Sequence, residues 1–285
     1  MATFYNQATL SYGSNVLNSN ITEAELLSGL TISKIALGGN YTAGGNVTYV
    51  ITLTNAYGSP YNSLTVTDNL GAYTTPGGAV AIPLTYVAGS LIYYLNGALQ
   101  STPAVTAAGN LQISGINLPQ NSTAILVYEA TVNEFAPIAN GSSITNTAST
   151  NGGVCVGEIS DSATITVSTA PRLTIAKAVS PAVITDNDRL TYTLIIQNLG
   201  NTPIVATDGV IVRDVFNPIL TDITVTSDGE ELTAPTGYTY NEATGEFVTA
   251  NGLITVPAAT YTQNPVTGVI TTTPGVAIIT VSGTV

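Results

Sequence analysis

The chain has 285 residues, enough for two ordinary domains with cores of their own, since single domains run to roughly 100–200 residues. Its 17 acidic and 5 basic residues leave a net charge of −12, which repels nucleic acid and anionic lipid, and no apolar run approaches the ~20 residues of a membrane span. With no histidine and one cysteine there is neither a Cys/His metal site nor an internal disulfide framework, so no metal and no cofactor is expected.

The N-terminus, Met1-Ala2-Thr3-Phe4, carries no basic region and no apolar stretch follows it, so no secretory leader is expected and the chain is expected to fold first inside its maker. Strand signals then dominate throughout: short Thr/Val/Ile/Tyr-rich segments alternate apolar and polar residues between Gly, Pro, Asn and Asp turns. The pattern predicts an all-β protein. One segment, "ITEAELLSG" (Ile21 to Gly29), is expected to form a turn or two of helix.

In chain order the strand segments repeat. "LTISK" (Leu30 to Lys34) returns as "LTIAK" (Leu173 to Lys177), and "VTYVITLTN" (Val47 to Asn55) as "LTYTLIIQN" (Leu190 to Asn198), both at an offset of 143 residues. "LTVTD" (Leu64 to Asp68) returns as "VIVRD" (Val210 to Asp214), and "AILVYEATV" (Ala124 to Val132) as "AIITVSGTV" (Ala277 to Val285), the last at an offset of 153. The first copy continues through "ITNTAST" (Ile144 to Thr150) and "SATITVS" (Ser162 to Ser168); the second has no counterpart. A counterpart stands at the front of the chain instead, where "FYNQATL" (Phe4 to Leu10) aligns with "ITNTAST" at an offset of 140. Three regions follow: a donor segment at 1–29, a first domain at 30–170, and a second domain at 171–285 whose last strands come from a neighbouring copy.

The order L-x-I-x-K, TYxITxxN, V-x-V-x-D and N-T-A-S resembles the immunoglobulin-like repeat of bacterial and archaeal surface proteins, a domain of unknown function, over nearly the whole chain. The resemblance implies two tandem Ig-like β-sandwiches. For a small acidic chain without a secretion signal, it is similar to the ribbon or fibre subunits of spore appendages. It implies a spore-surface, extracellular location reached by mother-cell lysis, and a homopolymer on an unidentified anchoring protein. No wall-sorting motif accompanies the repeats.

Side chains alternate across a strand, so residues two apart share a face. Lys34 has the parity of Leu30 and Ile32, Asp68 that of Leu64 and Val66, and Asn146 that of Ile144 and Ala148. Three polar groups thus point into one sandwich. The second unit repeats them with Lys177 and Asp214, and its asparagine is Asn6 of another copy. Lys34 and Lys177 are the only lysines of the chain, and they occupy equivalent repeat positions.

Burying an unpaired charge costs several kcal/mol, so these groups must be partners. Two readings stay open. One is a buried Lys–Asp ion pair with Asn as its neighbour. In the other, apolar surroundings favour the neutral amine, which attacks the Asn amide while Asp68 or Asp214 shuttles protons. The products are Lys34–Asn146 within a chain and Lys177–Asn6 between chains; the resemblance allows such crosslinks, which occur in related Ig-like pilus domains. Glu129 is read with inward parity as a weaker acid, its repeat equivalent being Ser282.

Other signals are plainer. "TDNDR" (Thr185 to Arg189) has an alternating Asp pair of the kind that binds calcium, but it reads as a hairpin turn. The sequons at Asn20, Asn46, Asn121 and Asn140 are expected by composition, and Cys155 is the candidate for an interchain disulfide. Charged residues are only 8% of the chain, a surface suited to being covered by copies of itself. The leading function is a fibre subunit built head-to-tail by donor strands. The alternative is an adhesin or ligand-binding module using "GSPYNS" (Gly58 to Ser63) and "TGYTYNEATGEF" (Thr236 to Phe247) as loops. An enzyme is not expected beyond self-crosslinking.

Overall fold

A computed structural model of the chain describes residues 2–26, 29–56, 58–151, 157–185 and 187–285. Alternating Thr/Val/Ile/Tyr segments become strands, and the described residues are all-β apart from one 3-10 turn at Ala206–Asp208. The chain divides into two compact units. The first comprises Met1–Pro137, Gly141–Val167 and Asn264–Val269, and the second Ile138–Asn140, Ser168–Gln263 and Ile270–Val285.

The chain begins as a long antiparallel hairpin. β1 (Ala2–Asn6) pairs with β4 (Thr22–Leu26), and inside it β2 (Thr9–Tyr12) pairs with β3 (Asn15–Asn18) around a turn with Gly13 at positive φ. The expected helix at 21–29 is therefore corrected: Thr22–Leu26 is a strand. Helix propensity in Glu-Ala-Glu-Leu yields to the ladder with β1, because propensity is a weak prior against pairing.

The first unit is built from β5 (Leu30–Leu37), β6 (Asn40–Tyr41), β7 (Asn46–Asn55), β8 (Tyr61–Asp68), β9 (Ile92–Leu95), β10 (Ala104–Ala108), β11 (Asn110–Leu118), β12 (Ser122–Val132), β13 (Ser143–Asn151) and β14 (Glu158–Val167). One sheet runs β9-β12-β7-β5 and the other β10-β11-β8-β13-β14-β6, with β6 parallel to β14. The first sheet has its strands in the A, B, E and D places of an immunoglobulin sandwich, and β8, β13 and β14 take those of C, F and G. Burial alternates along β7 and β12, so Tyr49, Ile51 and Leu53 meet Leu126 and Tyr128 in the core between the sheets.

The second unit contains β15 (Leu173–Ser180), β16 (Arg189–Asn198), β17 (Arg213–Val215), β18 (Thr221–Ser227), β19 (Glu230–Leu232), β20 (Tyr238–Asn241), β21 (Glu246–Thr249), β22 (Thr260–Gln263), β23 (Ile270–Thr273) and β24 (Gly275–Thr284). One sheet runs β15-β16-β24-β18-β19, the second β17-β21-β20, and β22 and β23 form a hairpin. Register follows the sequence repeat: Lys34 lies opposite Ile51, and Lys177 opposite Leu194. The core is Leu194, Ile196, Phe216, Phe247, Ile279 and their neighbours. "TGYTYNEATGEF" forms the β20–β21 hairpin, whose Tyr238 and Phe247 are buried. "GSPYNS" runs into β8, which begins at Tyr61.

The asparagine ending each second repeat motif has a structural role. Asn55 and Asn198 are fully buried; Asn55 Nδ2 donates to the Ser59 and Pro119 carbonyls at 2.9 Å, and Asn198 Nδ2 donates to Thr202 O at 2.7 Å and Pro257 O at 3.1 Å. These bonds tie down loop carbonyls at one end of each sandwich.

Candidate functional site

Three strands of the first unit bring Lys34, Asp68 and Asn146 to one buried point, as their parity requires. Lys34 Nζ donates to Asp68 Oδ2, and its chain crosses the stacked rings of Tyr49 and Tyr128, 4.9 and 5.9 Å from their centroids. Asp68 Oδ1 accepts from Leu70 N at 2.9 Å, and the Lys34 backbone N–H donates to Asp161 Oδ2 at 2.7 Å. Burial lowers the Lys34 ammonium from 10.5 to about 8, against the raising pull of Asp68 and Asp161.

A fourth group completes the cluster, and sequence reasoning missed it. Tyr128 Oη donates to Asp68 Oδ2 at 2.5 Å, accepts from Asn146 Nδ2 at 3.0 Å, and stands 3.4 Å from Lys34 Nζ. The inward parity assigned to Glu129 is thereby corrected. β12 turns Tyr128 into the core and Glu129 outward, where its carboxylate accepts from Asn46 Nδ2 at 3.4 Å. On the far side of the amide, Asn146 Oδ1 accepts from Gly71 N at 3.2 Å, a donor shared with Asn69 Oδ1 at 3.0 Å. Gly71 has φ +74, and a Cβ there would come within 2.5 Å of Ile144 Cγ2, so only glycine permits this approach.

The second unit holds a looser version. Lys177 Nζ lies 2.6 Å from Asp214 Oδ2, over the stacked rings of Tyr192 and Phe216 at 4.4 and 5.2 Å. The Lys177 side chain is 39% exposed, whereas that of Lys34 is wholly buried. Val281 stands at the position of Tyr128, opposite Tyr192 as Tyr128 is opposite Tyr49, and so supplies no hydroxyl. Asn6 sits on β1, exposed, opposite Thr22. Cys155 lies outside the described residues.

Truncating the two aspartates should separate the sites. Asp68→Ala leaves a buried lysine unpaired and should cost about 3–5 kcal/mol of stability. Asp214→Ala should cost less than about 1 kcal/mol, because water reaches Lys177. Chemical denaturation of both variants reads the difference.

Among the described residues no group of three or more Cys, Asp or Glu side chains is arranged to hold a metal ion, and no helix is long and apolar enough to cross a membrane. The "TDNDR" turn is closed by Asp188, whose Oδ2 accepts from Thr185 N and Oγ1 at 2.6 and 2.8 Å.

No protein family and no curated protein matches the sequence. Among solved structures, the chain is similar to the major pilin subunit of Bacillus cereus at 15% identity and TM-score 0.35, over 96% of this chain and 73% of that one. It is similar to the pilus backbone of Streptococcus pneumoniae at 12% identity and TM-score 0.36, over 86% and 55%. To the collagen-binding subdomain of the Enterococcus faecalis surface protein ACE it is similar at 7% identity and TM-score 0.31, over 49% and 99%.

Proposed function

We propose that the chain is the structural subunit of an extracellular fibre in which the N-terminal hairpin of one copy completes the second unit of the next. The carrying observation is the uncovered edge of that unit. In the first unit β8 is flanked by β11 and β13, with Asp68 opposite Leu111 on one side and Ala148 on the other. In the second unit β17 has β21 on one side, Asp214 opposite Phe247, and among the described residues no strand on the other. The inward face of β15 is bare in consequence: Leu173 and Ile175 are 39% and 59% exposed, whereas Leu30 is 1% exposed.

The N-terminal hairpin matches what that edge lacks. β13 and β14 pair from Ser143–Thr166 to Asn151–Glu158, and residues 2–26 form an antiparallel hairpin of similar reach. Cross-strand partners point the same way within each ladder, Phe4 with Ala24, Asn6 with Thr22, and Leu10 with Leu17. Phe4, Leu10 and Leu17 are all more than half exposed on the single chain. Covering each such side chain is worth about 1–2 kcal/mol. With Asn6 at the place of Asn146, the docked hairpin presents its amide to Lys177.

A donor at one end and an acceptor at the other make a heterologous contact, which propagates without closing. Lys34–Asn146 and Lys177–Asn6 amide bonds, with Asp68 and Asp214 as proton shuttles, lock the assembly. The spore surface as its setting is supported by the motif order together with the small, acidic character of the chain. Electron microscopy of the purified protein tests the reading: fibres one or a few subunits wide are expected, and a monodisperse monomer at high concentration overturns it.

A further inference from the structure

Tyr128 Oη is hydrogen-bonded to both the carboxylate and the amide of the first unit's site, 2.5 Å from Asp68 Oδ2 and 3.0 Å from Asn146 Nδ2. From this bridge we infer that Tyr128 is a catalytic proton relay for the Lys34–Asn146 crosslink, handing a proton to the departing amide nitrogen, with the Gly71 N–H stabilising the oxyanion that forms on Asn146 Oδ1. The inference rests on the crosslinking reading given above.

The step balances without any co-reactant. Asp68 takes one proton from the Lys34 ammonium, and the free amine attacks Cγ of Asn146. The bond from Cγ to Nδ2 breaks, and that nitrogen leaves as ammonia. Its third hydrogen comes from Tyr128 Oη, which is reloaded from Asp68 Oδ2; Asp68 then collects the surplus proton of the new amide nitrogen. Negative charge on Oδ1 in the tetrahedral intermediate faces the Gly71 N–H, already 3.2 Å away. Tyr128 reaches this point protonated, because burial and the Asp68 carboxylate both push its phenol well above the ordinary value.

The second unit is the built-in contrast. Its aromatic pair under the lysine is Tyr192 and Phe216, and Val281 replaces the relay tyrosine. The bond at Lys177 therefore forms without a relay from its own unit and is expected to be the slower of the two.

The test follows the loss of about 17 Da, one ammonia per bond, in full-length chains made by cell-free synthesis and quenched at intervals. Lys34→Arg sets the baseline for the bond within the chain. Tyr128→Phe, with folding checked by circular dichroism, should slow that loss about 100-fold, the range of one general acid. Should Tyr128→Phe fold poorly, the wild-type rate in deuterium oxide replaces it, and a marked slowing is expected of a proton relay. A wild-type chain that loses the mass while Tyr128→Phe loses it equally fast, or a wild-type rate indifferent to deuterium, overturns the relay and leaves the crosslink standing. A wild-type chain with no mass loss overturns both.

Discussion

A chain lacking residues 1–28 should form no fibres. The deletion removes the hairpin whose apolar side chains Phe4, Leu10 and Leu17 stand exposed on the single chain, and it leaves the bare β15 face and the outer edge of β17 with nothing to receive. An unpaired strand edge beside exposed Leu173 and Ile175 is a template for irregular pairing, so the truncated protein should remain monomeric when dilute and aggregate without order when concentrated. Sedimentation and negative-stain microscopy read the outcome. Ordered fibres from the truncated chain would show that polymerisation uses another surface.

Assembled fibres boiled in denaturant should run as a ladder of covalent multimers, and Lys177→Arg should collapse that ladder to monomers. Donated strands are held by hydrogen bonds and apolar contact, which denaturant dissolves; an amide survives. Arginine keeps the positive charge over Tyr192 and Phe216 but offers no nucleophile, because guanidinium does not deprotonate in proteins. Lys177→Arg chains should therefore still dock and form fibres, and still carry the mass deficit of the Lys34 bond. Wild-type fibres that boil to monomers without any deficit would mean that both lysines end as ion pairs.

Much of this architecture was legible because strands alternate. Parity alone put Lys34, Asp68 and Asn146 on one buried point, and the 143-residue offset carried over to cross-strand register, Lys34 against Ile51 and Lys177 against Leu194. Tyr128 is hard to see in "AILVYEATV" because the acid beside it, Glu129, is the conspicuous partner for a lysine; counting from Ala124 and Leu126 reaches Tyr128 instead. Its repeat partner Val281 offered no polar signal to correct the choice. The Gly71 donor is a backbone group, and no side-chain pattern announces it. Glu-Ala-Glu-Leu at 23–26 favoured helix locally, but the ladder to β1 is a pairing over some twenty residues that local propensity cannot register.

Strand donation itself is tested most directly by adding a peptide of residues 1–28 to polymerising full-length protein. The peptide should occupy the edge of β17 in place of the next subunit's hairpin and act as a chain terminator, so fibre length should fall as peptide concentration rises. A peptide carrying Phe4→Asp and Leu10→Asp should have no effect, since its inward face can no longer be buried. Fibre lengths unchanged by the natural peptide at any concentration would contradict donor-strand assembly.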